Sequence, residues 1–151
     1  MKFILPLAIS TVVGLNAFHA IADERKMTVY KTPTCGCCAL WVDHVKTAGF
    51  QVEVHDMDDL SSMKKLAGVP NDMQACHTAV VDGHTIEGHV PAHAIERFLA
   101  SAKSGQGIAV PGMPQGSPGM PSPMPEIYDV MVFGGGERSV IGRYKGGQPA
   151  E

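Results

Sequence analysis

Three of the four cysteines in this 151-residue chain fall within four positions, Cys35-Gly36-Cys37-Cys38, inside the stretch TPTCGCCALW at residues 32–41. Any fold this chain adopts must accommodate sulfurs that crowd one another. Three thiolates at that spacing repel, so something has to neutralise them. A disulfide between Cys35 and Cys38 removes two and leaves Cys37 over. A soft cation holds all three, with bridging sulfurs where more than one ion binds. The extra cysteine inside the C-x-x-C spacing favours metal over a plain redox pair. A bridge between such near neighbours closes almost no loop and adds little stability, so the cluster is chemical rather than structural.

The flanks of the cluster say where it sits. KMTVY at 26–30 is short and rich in β-formers and reads as a strand. Cys38, Trp41, Val42, Val45 and Ala48 recur at the spacing of one helix face, and Gly49 stops the run. The cysteines therefore lie at a strand-to-helix junction, where free N–H groups and the positive end of the helix dipole favour thiolate over thiol. Downstream, FQVEVHDM alternates as a second strand. Asp58 or Asp59 caps a short helix through Ala67, closed by Gly68 and Pro70. HTAVV and HTIEGH flank an Asp82-Gly83 turn as a hairpin. Pro91 opens a last helix with Ile95, Phe98, Leu99 and Ala102 on one face. This βαβαββα order resembles thioredoxins and glutaredoxins, whose reactive cysteines lie between the first strand and the first helix, the position of Cys35 and Cys38 here.

After Lys103 the composition shifts to SGQGIAVPGMPQGSPGMPSPMP, a Gly/Pro/Met-rich linker expected to lack regular structure. IYDVMVF, a Gly134-Gly135-Gly136 turn and SVIGRY then predict a C-terminal β-hairpin, either added to the domain or packed beside it. The fold class is α/β: a thioredoxin-like domain over 23–103, followed by a C-terminal extension over 104–151 that contributes to metal binding.

Residues 1–22 read as a secretory signal, with Lys2 at the start, an apolar run to Phe18 and the small-x-small site Ala20-Ile21-Ala22. The run is interrupted by Pro6, Ser10, Thr11 and Asn16 and is short for a bilayer span. The mature chain is expected in the bacterial periplasm, with no membrane anchor after cleavage, as a monomer. Formal charge is −3, or −4 once Lys2 is lost, and there is no basic block, so nucleic acid is not an expected partner. Outside the cytosol, thiols pair or bind metal.

Cys76 directly precedes HTAVV. A third strand antiparallel to the first starts beside the end of the first, so Cys76 is expected to face the cluster, where thioredoxins carry a cis-proline. His89 ends the fourth strand on the same side and is the best imidazole candidate. His93 is one helical turn further and weaker. His77 neighbours Cys76, but adjacent strand residues face opposite ways. His44 lies about two turns up the first helix and is expected out of reach, His84 sits by the hairpin tip, and His55 ends the second strand in solvent. Met113, Met120 and Met124 are each flanked by proline, which displays the thioethers rather than burying them. Methionine is a soft ligand suited to Cu(I). Met113 and Met120 therefore join the candidate ligands.

Cys35-Gly36-Cys37-Cys38 as C-x-C-C, ACHTAVVDG, EGHVPAHAIERFL and GIAVPGMPQGSPGM together resemble the CopG-like family of periplasmic copper-resistance proteins, over a match from about Met27 to the C-terminus. The resemblance implies a thioredoxin-like domain whose C-terminal extension helps bind metal. It implies copper at Cys35, Cys37 and Cys38, with Cys76 as a further ligand, and interconversion of Cu(I) and Cu(II). The leading expectation is a copper-binding redox protein, with one or several copper ions as cofactor or cargo, that passes copper to periplasmic export machinery. Two rivals stand beside it. One is a metal-free thiol–disulfide oxidoreductase in which Cys35 attacks and Cys38 resolves. The other is a structural Zn–S₄ module, disfavoured because C-x-C-C is too tight for ordinary tetrahedral chelation.

Overall fold

The computed structural model describes residues 25–150, so the signal segment read at 1–22 lies outside the described residues. The elements are β1 (Lys26–Lys31), α1 (Gly36–Thr47), β2 (Gln51–Asp56), α2 (Ser61–Leu66), a 3₁₀ turn at Asn71–Met73, β3 (Thr78–Val81), β4 (His84–Glu87), α3 (Ala92–Leu99), β5 (Gln106–Ala109), β6 (Ile127–Gly134), β7 (Glu137–Lys145) and β8 (Gln148–Pro149). All eight strands form one mixed sheet in the order β2-β1-β3-β4-β5-β6-β7-β8. β1 pairs parallel with β2 and antiparallel with β3, and β4 pairs parallel with β5. No described helix is long and apolar enough to cross a membrane.

Strand alternation sorts the two faces of the sheet. Met27, Val29, Ala79, Val81, Ile86, Ile108, Val130 and Val132 share the main core with Trp41, Val42 and Val45 of α1 and with Ile95 and Phe98 of α3. Burying each such side chain stabilises the fold by about 1.5–3 kcal/mol, so this layer fixes where α1 starts. Ala48, expected on the buried stripe, is instead the exposed C-cap of α1. The opposite face carries a smaller cluster of Val69, Met73, Ala109 and Phe133.

The hairpin read at the C-terminus is added to the sheet, and the sheet runs without a break across the boundary at 103/104. The link is β5, which falls in the segment expected to lack regular structure. Its residues are all buried, between β4 and β6. Gly107 hid it: glycine weakens a strand signal. Here the glycine is required, because a Cβ would meet the Phe133 ring at 2.6 Å and Thr85 O at 2.7 Å. Residues 110–126 do lack helix and strand, yet they are tied by their own turns. Gly116 N donates to Met120 O at 2.7 Å, Met120 N to Ser117 O at 2.8 Å, and Glu126 N to Gln115 O at 2.8 Å.

Two polar features fix the helices against the sheet. On the α2 side, Lys64 Nζ donates to Glu87 Oε1 at 2.6 Å and to Thr78 Oγ1 at 3.1 Å. Thr78 Oγ1 donates to Glu87 Oε2 at 2.6 Å, and Ala75 N donates to Glu87 Oε1 at 2.7 Å. All three side chains are buried. On the other side, His44 Nε2 accepts from Ala92 N at 3.0 Å and so caps the start of α3.

Breaking the buried pair from one side strands the other charge. Glu87→Ala is expected to cost about 3–5 kcal/mol, read as a drop in the urea midpoint; a drop matching an ordinary surface change would refute it.

His44 must be neutral to accept from Ala92. Burial, with His93 nearby, holds its pKa below the usual histidine range. The unfolded chain therefore binds the proton first, and stability falls as pH drops below about 6.5. His77 and His89 are shifted the same way, also by burial. His44→Gln keeps an acceptor but cannot titrate. Its urea midpoint is expected to fall less between pH 7 and pH 5 than that of the parent, with part of the slope remaining.

Candidate metal centre

The cysteine turn is built by the end of β1 and the start of α1. Cys35 N donates to Thr32 O at 3.1 Å, and Cys35 is the N-cap of α1, its sulfur accepting from Cys38 N at 3.3 Å. A sulfur thus takes the place of the usual hydroxyl or carboxylate cap on a free helix N–H. Cys35 and Cys38 are joined by a disulfide, while Cys37 and Cys76 are free thiols. Cys37 Sγ lies 3.5 Å from Cys35 Sγ and 4.0 Å from Cys76 Sγ. Cys38 Sγ lies 3.9 Å from Cys76 O. The four sulfurs form one group with all members within 4.8 Å of one another.

Cys76 arrives there by register. β3 runs antiparallel to β1 with Thr78 opposite Tyr30, so the residues just before β3 lie beside the turn that leaves β1. The Lys64–Glu87–Thr78 network then holds that loop from behind through Ala75 N. Burial, with Cys37 alongside, pushes the Cys76 thiol up to about 12. Desolvation therefore outweighs the nearby positive charge of Lys64, and Cys76 is a thiol at neutral pH. A metal that binds it must displace that proton.

His89 is fully buried, with Nε2 3.0 Å from Cys76 Sγ and Nδ1 2.7 Å from Pro118 O. A carbonyl oxygen only accepts, so Nδ1 carries the hydrogen and Nε2 turns its lone pair to the sulfur. The segment that places it is itself pinned. Gly88 N donates to His77 O at 3.0 Å, and Trp41 Nε1 donates to Val90 O at 2.9 Å.

His77 is the residue the sequence reading set aside. It is fully buried, with Nδ1 3.4 Å from Cys76 Sγ. Its ring lies against Trp41, with centroids 4.3 Å apart, and edge-on to His89 at 5.0 Å. The alternation rule did not apply, because Cys76 and His77 precede the first residue of β3. The signal was available: His77 adjoins a candidate ligand outside the paired strand. Cys76, His77 and His89 form a second group of donors within 4.8 Å of one another.

The remaining candidates disperse. His93 lies tilted against the Tyr144 ring, with centroids 5.1 Å apart, His84 Nδ1 bonds Gln106 O at 2.9 Å, and exposed His55 bonds Glu53 at 2.9 Å. Met113 is exposed, and Met120 is half-buried. Met120 follows a close crossing of the Gly/Pro segment over α1. Gly119, at φ +86°, sits where a Cβ would meet Cys37 O at 2.5 Å and Trp41 N at 2.9 Å. With the Pro118–His89 bond, residues 117–120 form a strap across the cysteine turn.

The molecule is therefore a mixed α/β protein with a half-buried, four-sulfur, two-imidazole site of the kind that suits soft metal ions. It is similar to two solved structures of copper resistance protein copG, forms 2 and 1. They are 39% and 40% identical, each covering 81% of this chain and 99% and 98% of the other, both with a TM-score of 0.76. Residues 73–120, which span Cys76 to the strap, match a family described as a protein of unknown function, DUF411. No curated protein matches. The chain belongs to the CopG family of copper-resistance proteins, as the motifs of the sequence indicated.

Gly119→Val forces a side chain into Cys37 O and Trp41 N and is expected to lift the strap. The Cys37 and Cys76 thiols should then react faster with an aromatic disulfide reagent. An unchanged rate in a folded variant would mean that the strap does not cover them.

Proposed function

We propose that the chain is a thioredoxin-like, exported copper-binding protein of copper resistance that holds copper as cargo at Cys35, Cys37, Cys38 and Cys76 and cycles it between Cu(I) and Cu(II). The observation that carries this reading is the convergence of four sulfurs from two distant segments on one half-buried site. Membership of a family whose solved relatives are copper resistance proteins supports it. The thioredoxin-like assignment draws on the strand order β2-β1-β3-β4, with the cysteines between β1 and α1. Export to the periplasm rests on the signal reading of residues 1–22.

Thiolate chemistry selects Cu(I), a d¹⁰ ion content with few soft ligands. The disulfide withholds two of the four sulfurs. Opening it takes two electrons and two protons and completes the Cu(I) donor set. In the reverse sense, two Cu(II) ions oxidise the Cys35/Cys38 dithiol to the disulfide and leave two Cu(I) ions and two protons. The same pair thus switches the site between loading states and balances the copper redox change. His89 stands in the wall as a nitrogen donor, and Met113 and Met120 serve as outer soft ligands on the extension. The protein acts as a monomer that passes copper on for export.

The disulfide also favours a second reading, a metal-free thiol–disulfide oxidoreductase using Cys35 and Cys38. The strap at Pro118–Gly119 weighs against it, because a polypeptide substrate must approach a cysteine turn whose backbone the strap already crosses.

Cys37→Ser is expected to abolish multi-copper binding by the reduced protein while far-ultraviolet dichroism stays that of the parent. Insulin reduction without copper should be negligible. A Cys37→Ser variant that loads copper as the parent does would overturn the cluster, and vigorous insulin turnover would favour the oxidoreductase.

A further inference from the structure

The Cys35–Cys38 disulfide leaves a donor set untouched. Cys76 Sγ, His77 Nδ1 and His89 Nε2 lie within 4.8 Å of one another, the sulfur 3.4 Å from the first nitrogen and 3.0 Å from the second. We propose that Cys76, His77 and His89 form a second metal site, selective for Cu(II), that is complete while the disulfide is closed and shares Cys76 and His89 with the Cu(I) centre. The proposal rests on the copper reading above and deepens it by giving Cu(II) a nitrogen-rich donor set distinct from the four-sulfur one.

Three features support it. One thiolate with two imidazoles is a mixed donor set of the type found in copper electron-transfer sites, whereas sulfur-only ligation favours the cuprous ion. The ligand tautomer of His89 is already fixed: Nδ1–H donates to Pro118 O, so the Nε2 lone pair faces the sulfur. An outer partner of this kind orients a metal-bound histidine and raises its basicity. His77, held between Trp41 and His89, keeps its position without any hydrogen bond to Nε2. A buried imidazole with an unmatched nitrogen costs stability that an apolar ring of the same shape would not, so something other than packing explains a histidine there.

Binding is a simple exchange. Cu(II) displaces the Cys76 thiol proton, which leaves to solvent, and no electron moves. The site needs neither Cys35 nor Cys38. Reduction of the disulfide by an external dithiol, itself oxidised to a disulfide, frees both sulfurs as donors beside Cys76, and the shared thiolate then belongs to the Cu(I) set.

The test adds one equivalent of Cu(II) sulfate, without oxygen, to protein with the disulfide closed and two titratable thiols. A thiolate-to-Cu(II) charge-transfer band in the visible and nitrogen hyperfine structure in the electron paramagnetic resonance spectrum are expected. Cys76→Ser should lose the band. His77→Phe, which keeps an aromatic ring, and His89→Gln, which keeps a side chain of similar size, should each lose or shift it. Cys37→Ser, which removes the only other free thiol and hence internal reduction of Cu(II), should keep it. Thermal melts show which variants fold, and either histidine variant alone suffices. No band in the parent and in Cys37→Ser, or a band unmoved by either folded histidine variant, overturns the proposal. Cu(I) titration of the reduced parent is the companion measurement. Tight Cu(I) binding without the Cu(II) band removes this site alone, whereas failure to bind Cu(I) removes the reading it rests on.

Discussion

The Lys64–Glu87 pair is the interaction on which the site rests. It lies on the face of the sheet away from α1, and yet it positions the loop that faces α1. Glu87 Oε1 takes both the Lys64 ammonium and the Ala75 N–H, and Oε2 takes the Thr78 hydroxyl. Burial alone pushes the Glu87 carboxyl above its ordinary range, against the pull of these partners. A buried ion pair is poor evidence for net stability, since desolvation offsets most of the attraction. Its geometry is nonetheless demanding, because any other loop path leaves a buried charge with too few partners. The pair therefore acts as a register device. It fixes Ala75, and the next two residues carry the sulfur and the imidazole that meet the cysteine turn.

The turn itself sets three claimants for the same sulfurs against one another. The helix start favours anionic sulfur, and Cys35 accepts the Cys38 N–H. The disulfide removes charge from two sulfurs. Burial and the neighbouring Cys37 keep the Cys76 proton in place. No claimant satisfies all four sulfurs at once. A soft cation does, because it replaces protons and disulfide alike and cancels the repulsion that crowding creates. This is why a site that looks over-supplied with cysteine as a redox motif is well matched to metal.

Much of this was legible from residue patterns. The order of elements through α3 follows from period and turn chemistry. The meeting of Cys76 and His89 with the turn follows from one topological step, since an antiparallel third strand must begin where the first ends. What escaped has physical reasons. β5 was masked by Gly107, whose missing side chain is what lets the Phe133 ring pack. His77 was dismissed by a strand rule applied one residue outside the strand. The partnership of Lys64 with Glu87 spans 23 positions and leaves no local mark. The choice between disulfide and open thiols is a chemical state, and no spacing encodes it. The Gly/Pro segment read as a linker because its order comes from turns and from one contact at Gly119, not from periodicity.

That contact is also what separates this site from the redox motif it resembles. A bare C-x-x-C at a helix start is open to any thiol that can approach. Here the segment carrying Pro118 and Gly119 crosses the turn, bonds His89 and lies too close to Cys37 O for any larger residue. An ion needs a passage only as wide as its ligands allow, whereas a polypeptide must lay its backbone against the sulfurs. The same carbonyl that ties the strap down also fixes the tautomer of His89, so the path of the segment over the turn and the orientation of the imidazole follow from one hydrogen bond. A strap held elsewhere would achieve the first without the second. The extension accordingly belongs to the site as much as the cysteine turn does, although its sequence carries no cysteine or histidine at all.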